Sequence, residues 1–221
     1  MSSNPENPAD AEVRDTLVAT YRDLLAAGLG IGTSGNVSCR IEQGMLVTPT
    51  GIPPLEMRSE QLVAVSLEGE PLVPGQMLPS SEWHMHAAIY SARADAQAIV
   101  HCHSRYATTL ACAHRSIPAI HYMIAVTGTR EIPLAPYATF GTDALARSTV
   151  ATLGTGYACL LANHGQITLG PTPGQALKVA QEVEELAATY WNTLLIGGGQ
   201  NLNDQQMAEV EEAFQTYGQQ R

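Results

Sequence analysis

The chain has 221 residues, a formal net charge of −10 and 45% hydrophobic residues, a length that suits one domain and needs no disulfide or metal staple to bury a core. A mean hydropathy of −0.03 with 14% charged residues is a globular composition, not a disordered one. The acidic balance argues against nucleic acid and anionic membrane as partners, and because ten of the eleven basic residues are Arg, Lys178 is the one candidate for Schiff-base chemistry.

Apolar residues from Val13 to Leu25 recur at helical spacing and predict a helix over 9–27, ended by Gly28 and Gly30. Strands are predicted over 36–41 and 45–48, around a Gln43-Gly44 turn, and over 62–67. Pro79-Ser80-Ser81 predicts a helix start, with Ser as N-cap and Glu82 in the first turn of a helix running to Ala94. A buried strand follows over 96–103, then a helix over 105–113 and a strand over 120–126. Thr142–Leu153 reads as a helix, and 158–162 with 166–169 as a strand pair broken at Asn163-His164-Gly165. The longest amphipathic segment runs from Gln175 to Ile196, and an acidic helix spans 204–217 beyond Gly197-Gly198-Gly199. Strands and helices alternate without a repeating βα unit, so the expected fold is layered α/β with a largely antiparallel sheet, in a single domain over 1–221.

The four cysteines lack any C-x-x-C spacing, and residues 1–15 lack the basic and apolar regions of a signal peptide. No run approaches the roughly 18 apolar residues of a membrane helix. The expectation is a cytoplasmic protein with free thiols.

Two His-x-His pairs stand out. On a strand, residues two apart share a face, so His101 and His103 can bind one metal while Cys102 points away. On spacing alone, two ordinary half-buried histidines fit equally well. His84 and His86 fall in the predicted helix, where positions two apart diverge by about 200°, and they are not expected to share a ligand. His164 interrupts an apolar strand pair at a bend that Gly165 permits. Three histidines with an open fourth position are a known catalytic zinc arrangement. Glu82 reads either as an acid favoured by the helix dipole or, if near the metal, as a ligand that can also move a proton. The loops Gly32–Asn36, Thr48–Gly51 and Pro79–Ser81 offer N–H and hydroxyl donors that can cradle a phosphate without lysine, although each also reads as a plain turn.

Taken together, these motifs resemble the class II aldolase/adducin family over about residues 13–217. The resemblance rests on TSGNVS at 33–38, TPTGIP at 48–53, PSSEW at 79–83, HCH at 101–103, IPAIHYMIA at 117–125, APYATFGT at 135–142 and NHG at 163–165. It implies one zinc ion per subunit held by His101, His103 and His164, with Glu82 as fourth ligand at rest and as proton carrier. It implies that Gly35, Asn36, Thr50, Gly51, Ser80 and Ser81 hold the substrate phosphate. It implies that Tyr122 reaches a neighbouring subunit's site to handle the aldehyde oxygen, that Phe140 forms part of the aldehyde wall, and that Tyr217 closes from the tail of a homotetramer. The implied reaction is reversible cleavage of L-fuculose 1-phosphate, or a close ketose 1-phosphate, to dihydroxyacetone phosphate and L-lactaldehyde through a metal-stabilised enediolate.

Three alternatives stand beside this reading. A pentulose 5-phosphate 4-epimerase of the same superfamily carries Asp where Glu82 stands and an acid in the segment matching Pro118–Arg130, which has none here. A non-catalytic adducin-type module need not keep the ligand set that this chain keeps. A Schiff-base aldolase would need Lys178, which lies within the long amphipathic segment.

Overall fold

A computed structural model describes residues 8–215. Helix α1 (Pro8–Ala26) buries Leu17, Val18, Tyr21 and Leu24, the i, i+1, i+4, i+7 set of one helical face. It ends ahead of Gly28, whose φ of 73° is left-handed. Strands β1 (Asn36–Ile41), β2 (Gly44–Val47) and β3 (Val63–Val65) form an antiparallel meander, with two short 3₁₀ turns at Pro54–Glu56 and Ser59–Gln61 on the way. Next come α2 (Trp83–Ala92), β4 (Ala98–Cys102) and α3 (Arg105–Cys112). A small ribbon pairs β5 (Ile117–Pro118) with β6 (Glu131–Ile132). The chain continues through β7 (Leu134–Ala135), α4 (Asp143–Leu153), β8 (Ala158–Leu161), β9 (Gly165–Gly170), α5 (Pro173–Leu195) and α6 (Asp204–Phe214).

The main sheet has seven strands in the order β3-β2-β1-β4-β9-β8-β7. Its pairs are antiparallel except β7 with β8 at the edge, so the expected layered fold with a largely antiparallel sheet is what forms. Alternation along β4 sorts its residues between two cores. Ala98, Val100 and Cys102 pack with α1 and α5, whereas Ile99 packs with α2 and α4 on the opposite face. A third core joins α3, β8 and the second half of α5 to Met207 of α6. The two faces are therefore roofed by different helices, and β4 and β9 run through the middle between them.

Thr172 and Thr142 cap α5 and α4 by accepting from Gln175 N and Leu145 N. The strand predicted over 120–126 is instead a 3₁₀ helix, Tyr122–Thr127. Its aromatic and β-branched residues mimic a strand, but the two that are buried, Ile124 and Thr127, are three apart, the period of a 3₁₀ turn. His121 Nδ1 accepts from Met123 N at its start, and Thr127 Oγ1 donates to the Ile124 carbonyl near its end. A second correction concerns α2, which begins at Trp83 with Glu82 as N-cap residue. Neither Ser80 nor Ser81 caps it, and Glu82 lies ahead of its first turn.

Candidate metal centre

Three chain segments meet where β4 ends and β9 begins. Strand β4 delivers His101, and His103 follows one residue beyond the strand. The turn from β8 to β9 delivers His164, and the N-cap of α2 delivers Glu82. Ligand atoms of these four residues all lie within 4.8 Å of one another. The three imidazole centroids form a nearly equilateral triangle of 4.8–4.9 Å, with rings edge-on to each other at 67–75°. His101 Nε2 is 3.0 Å from His103 Nε2 and 3.1 Å from Glu82 Oε2. His164 Nε2 is 3.1 Å from Glu82 Oε1.

Two glycines make this crowding possible. A Cβ on Gly165 would sit 2.4 Å from the Cys102 carbonyl oxygen and 2.9 Å from His103 Cδ2. A Cβ on Gly35 would sit 2.8 Å from the His101 carbonyl oxygen. The end of β4 is thus flanked on both sides by backbone that no larger residue can supply. Asn163 takes a left-handed φ of 55° to turn the chain into His164, a conformation that Asn tolerates better than most residues.

The polar contacts aim the four groups at a common point. His101 Nδ1 donates to the Gln166 carbonyl at 2.8 Å, which fixes the ring with Nε2 on the cluster side, the nitrogen that would ligate. Glu82 makes no capping bond to its own helix. Asn36 Nδ2 donates to Glu82 Oε2 at 3.0 Å. Oε1 is buried and has no hydrogen-bond partner of good geometry, although His164 Nε2 lies 3.1 Å away. A tetrahedral ion with bonds of about 2.0 Å would separate its ligands by about 3.3 Å, close to the contacts seen here. The donor set and the orphaned oxygen therefore fit a divalent cation.

Electrostatics agree. Burial pushes the Glu82 carboxyl up, but His101 and then His164 outweigh it and hold it well below the usual carboxylate range. Burial lowers His101, while the charge and contact of Glu82 more than reverse that and raise it. Burial, then the charges of His101 and His164, lower His103 to about 4.

Above the cluster lies a cleft of about 400 Å³. Of the residues expected at a phosphate, Gly35, Asn36, Thr50, Gly51, Ser80 and Ser81 all line it, and Phe140 forms part of its wall. Antiparallel bonds lace the loops together: Thr50 N donates to the Leu78 carbonyl and Ser80 N to that of Thr48. No Lys or Arg is among the lining residues. Asn36 is 3% exposed, and one of its amide N–H groups donates to Glu82, so it ties the phosphate loop to the carboxylate. Thr33, Ser34 and Tyr137 also line the cleft; Tyr137 falls in the APYATFGT run at 135–142, where only Phe140 carried an expected role.

Other expected residues fall elsewhere. Tyr122 is 49% exposed, beside His121 and Phe214, and does not enter this chain's cleft. Tyr217 lies outside the described residues. Cys102 is fully buried on the α1/α5 side of the sheet. His84 stacks on Trp83 while His86 bonds Ser38 in the core, so that pair diverges as helical geometry requires. Lys178 is exposed on α5 and borders a different hollow, with Met123 and Val126. Among the described residues no helix is long and apolar enough to cross a membrane.

Converging imidazoles and a carboxylate at the end of a largely antiparallel sheet define the class: layered α/β proteins with a side-chain cluster able to hold a metal ion. Residues 15–191 match the model of the Class II Aldolase and Adducin N-terminal domain, and the chain belongs to that family. It is 43% identical over 206 residues to a 5-methylthioribulose-1-phosphate/5-deoxyribulose-1-phosphate aldolase of Rhodospirillum rubrum, covering 93% of this chain and 92% of that one. It is 44% identical over 209 residues to an L-fuculose phosphate aldolase of Haemophilus influenzae, covering 94% and 96%. A solved structure of L-fuculose 1-phosphate aldolase superposes with a TM-score of 0.88 at 37% identity, covering 92% of this chain and 96% of that one.

Proposed function

We propose that this protein is a zinc-dependent aldolase, the whole chain acting as one catalytic domain, that reversibly cleaves a ketose 1-phosphate to dihydroxyacetone phosphate and a small aldehyde. L-Fuculose 1-phosphate, giving L-lactaldehyde, is the first substrate to test. The carrying observation is the convergence of Glu82, His101, His103 and His164 beneath a hydroxyl-lined cleft. A bound divalent cation supplies Lewis acidity there, polarising the ketone and offsetting the charge left by carbon–carbon cleavage. As ligands the three imidazoles would be neutral and would hold the ion without diminishing its charge. Glu82 is ionised, which suits it to take and return the proton on the carbon beside the carbonyl. Asn36 orients that carboxylate. Gly35, Thr50, Gly51, Ser80 and Ser81 grip the phosphate and use remote binding energy to align the reacting bond. Phe140 walls the aldehyde end. Tyr122, half-exposed and away from its own cleft, protonates the aldehyde oxygen in a neighbouring subunit of a homotetramer, and Tyr217 contributes to substrate binding. The free cysteines fit a cytoplasmic setting.

A second substrate has specific support: relatives named for 5-methylthioribulose 1-phosphate and 5-deoxyribulose 1-phosphate match as well as those named for fuculose phosphate. A cleavage assay with L-fuculose 1-phosphate, 5-deoxyribulose 1-phosphate and 5-methylthioribulose 1-phosphate, with and without a chelator, tests the reading. Chelator-sensitive release of dihydroxyacetone phosphate is expected. Inactivation by borohydride with substrate, combined with insensitivity to chelator, would move the chemistry to Lys178.

A further inference from the structure

Glu184, on α5, lies 77–80 residues along the chain from the groups it binds, and nothing in the reaction uses it. Its carboxylate accepts three hydrogen bonds: from Ser104 Oγ at 2.6 Å, Tyr106 N at 2.8 Å and Ala107 N at 2.9 Å. The last two donors are among the first amides of α3, which have no partner within their own helix. Ser104 occupies the N-cap of that helix, yet its side chain makes no capping bond. A carboxylate from another helix therefore caps α3, with its charge at the positive end of the helix dipole.

The freed Ser104 hydroxyl continues the chain of contacts. It accepts from Gln166 Nε2 at 2.7 Å, and the same amide nitrogen donates to the Ala180 carbonyl of α5 at 3.1 Å. Ser104 and Gln166 are both fully buried. Gln166 is also the residue whose backbone carbonyl accepts from His101 Nδ1. Glu184 thus grips both halves of the site: the segment leading out of His103, and the residue whose carbonyl sets the His101 ring.

We propose that Glu184 is a positioning residue for the metal centre, acting through Ser104 and Gln166 to hold the His101 and His103 rings with Nε2 turned to the ion. This rests on reading the four-residue cluster as a metal site. Partners outside the ligand set typically change metal affinity by about 10- to 100-fold when altered, and the indirect route here places Glu184 at the lower end. Glu184→Gln keeps the shape but cannot accept from all three donors. Glu185→Gln, an equal charge change at an exposed neighbour, is the control.

Zinc affinity is measured on purified full-length protein by chelator competition, together with the visible spectrum of the cobalt-loaded form and the melting temperature of the metal-free form. E184Q should weaken zinc about tenfold and alter the cobalt spectrum, while E185Q matches wild type in both. Wild-type zinc affinity and an unchanged cobalt spectrum in E184Q, at any melting temperature, overturn the proposal. If E184Q does not fold, Ser104→Ala decides the question. It removes the link to Gln166 and leaves both bonds to α3, and unchanged metal binding in S104A is equally fatal. A wild-type chain that takes up no ion, or a His101→Ala chain that binds as wild type does, overturns the metal centre itself and this inference with it.

Discussion

Replacing Gly165 by alanine adds one methyl group where β9 crosses the end of β4. The new Cβ would sit 2.4 Å from the Cys102 carbonyl oxygen, 2.9 Å from His103 Cδ2 and 3.3 Å from the Cys102 carbonyl carbon. Two of the three atoms are backbone and the third belongs to a proposed ligand, so none is the free end of a flexible side chain. Restoring ordinary contact requires about 1 Å of separation between the start of β9 and the 102–103 segment. Overpacking of this kind costs about 1–3 kcal/mol, a fall of roughly 2–4 °C in melting temperature per kcal/mol at this chain length. A misplacement of about 1 Å at a reacting centre is worth about 100-fold in rate. G165A should therefore fold, melt several degrees lower, bind zinc more weakly and lose about two orders of magnitude in turnover. Gly174 provides the contrast. It lies in α5 with nothing within 4 Å of an added Cβ, so Gly174→Ala should stabilise the protein by about 0.4–1 kcal/mol and leave turnover unchanged. Full activity and zinc affinity in G165A would refute the claim that close backbone approach builds this site.

Glu82→Gln should retain the fold and the phosphate grip but lose proton exchange on dihydroxyacetone phosphate, read by loss of solvent deuterium uptake; normal exchange would remove Glu82 from its role. Chelation should abolish cleavage, zinc should restore it, and the melting temperature should rise with zinc concentration, because an ion bound only by the folded state stabilises it by mass action. His86 is fully buried, and burial followed by the nearby His101 charge lowers it to about 3. It is neutral in the fold, so below pH 6.5 the unfolded chain gains a proton that the folded one refuses. Stability is lost as pH falls from about 6.5 towards 3, by about 2 kcal/mol at pH 5. His86→Gln should remove that part of the pH dependence in denaturant titrations at pH 7 and pH 5.

The clustered histidines were legible because their signals are local. His101 and His103 stand at the end of a short apolar run, and His164 interrupts another beside a glycine. The layered fold was legible for the same reason: periodicity marks the long helices and the central strands. Residues 120–126 misled because aromatic and β-branched side chains favour strands whatever the backbone does, and the buried pair three apart is too sparse a pattern to outweigh them. Glu82 reads as a first-turn residue because Ser usually caps, yet the acid sits at the cap itself and makes no bond to its own helix. The clearance needed at Gly35 and Gly165, and the reach of Glu184 to α3, join segments far apart in the chain. No local pattern encodes such contacts; they exist once the sheet order is set.

The cleft without Lys or Arg has a kinetic consequence. A cradle of N–H and O–H dipoles attracts a phosphate only at contact range. At larger distances the incoming dianion meets the field of a chain whose formal charge is −10. Encounter is then opposed where many anion-binding proteins assist it by electrostatic steering. Raising ionic strength shortens the reach of that opposing field, so the bimolecular capture rate should increase with salt, the reverse of the dependence that a lysine-lined pocket would give.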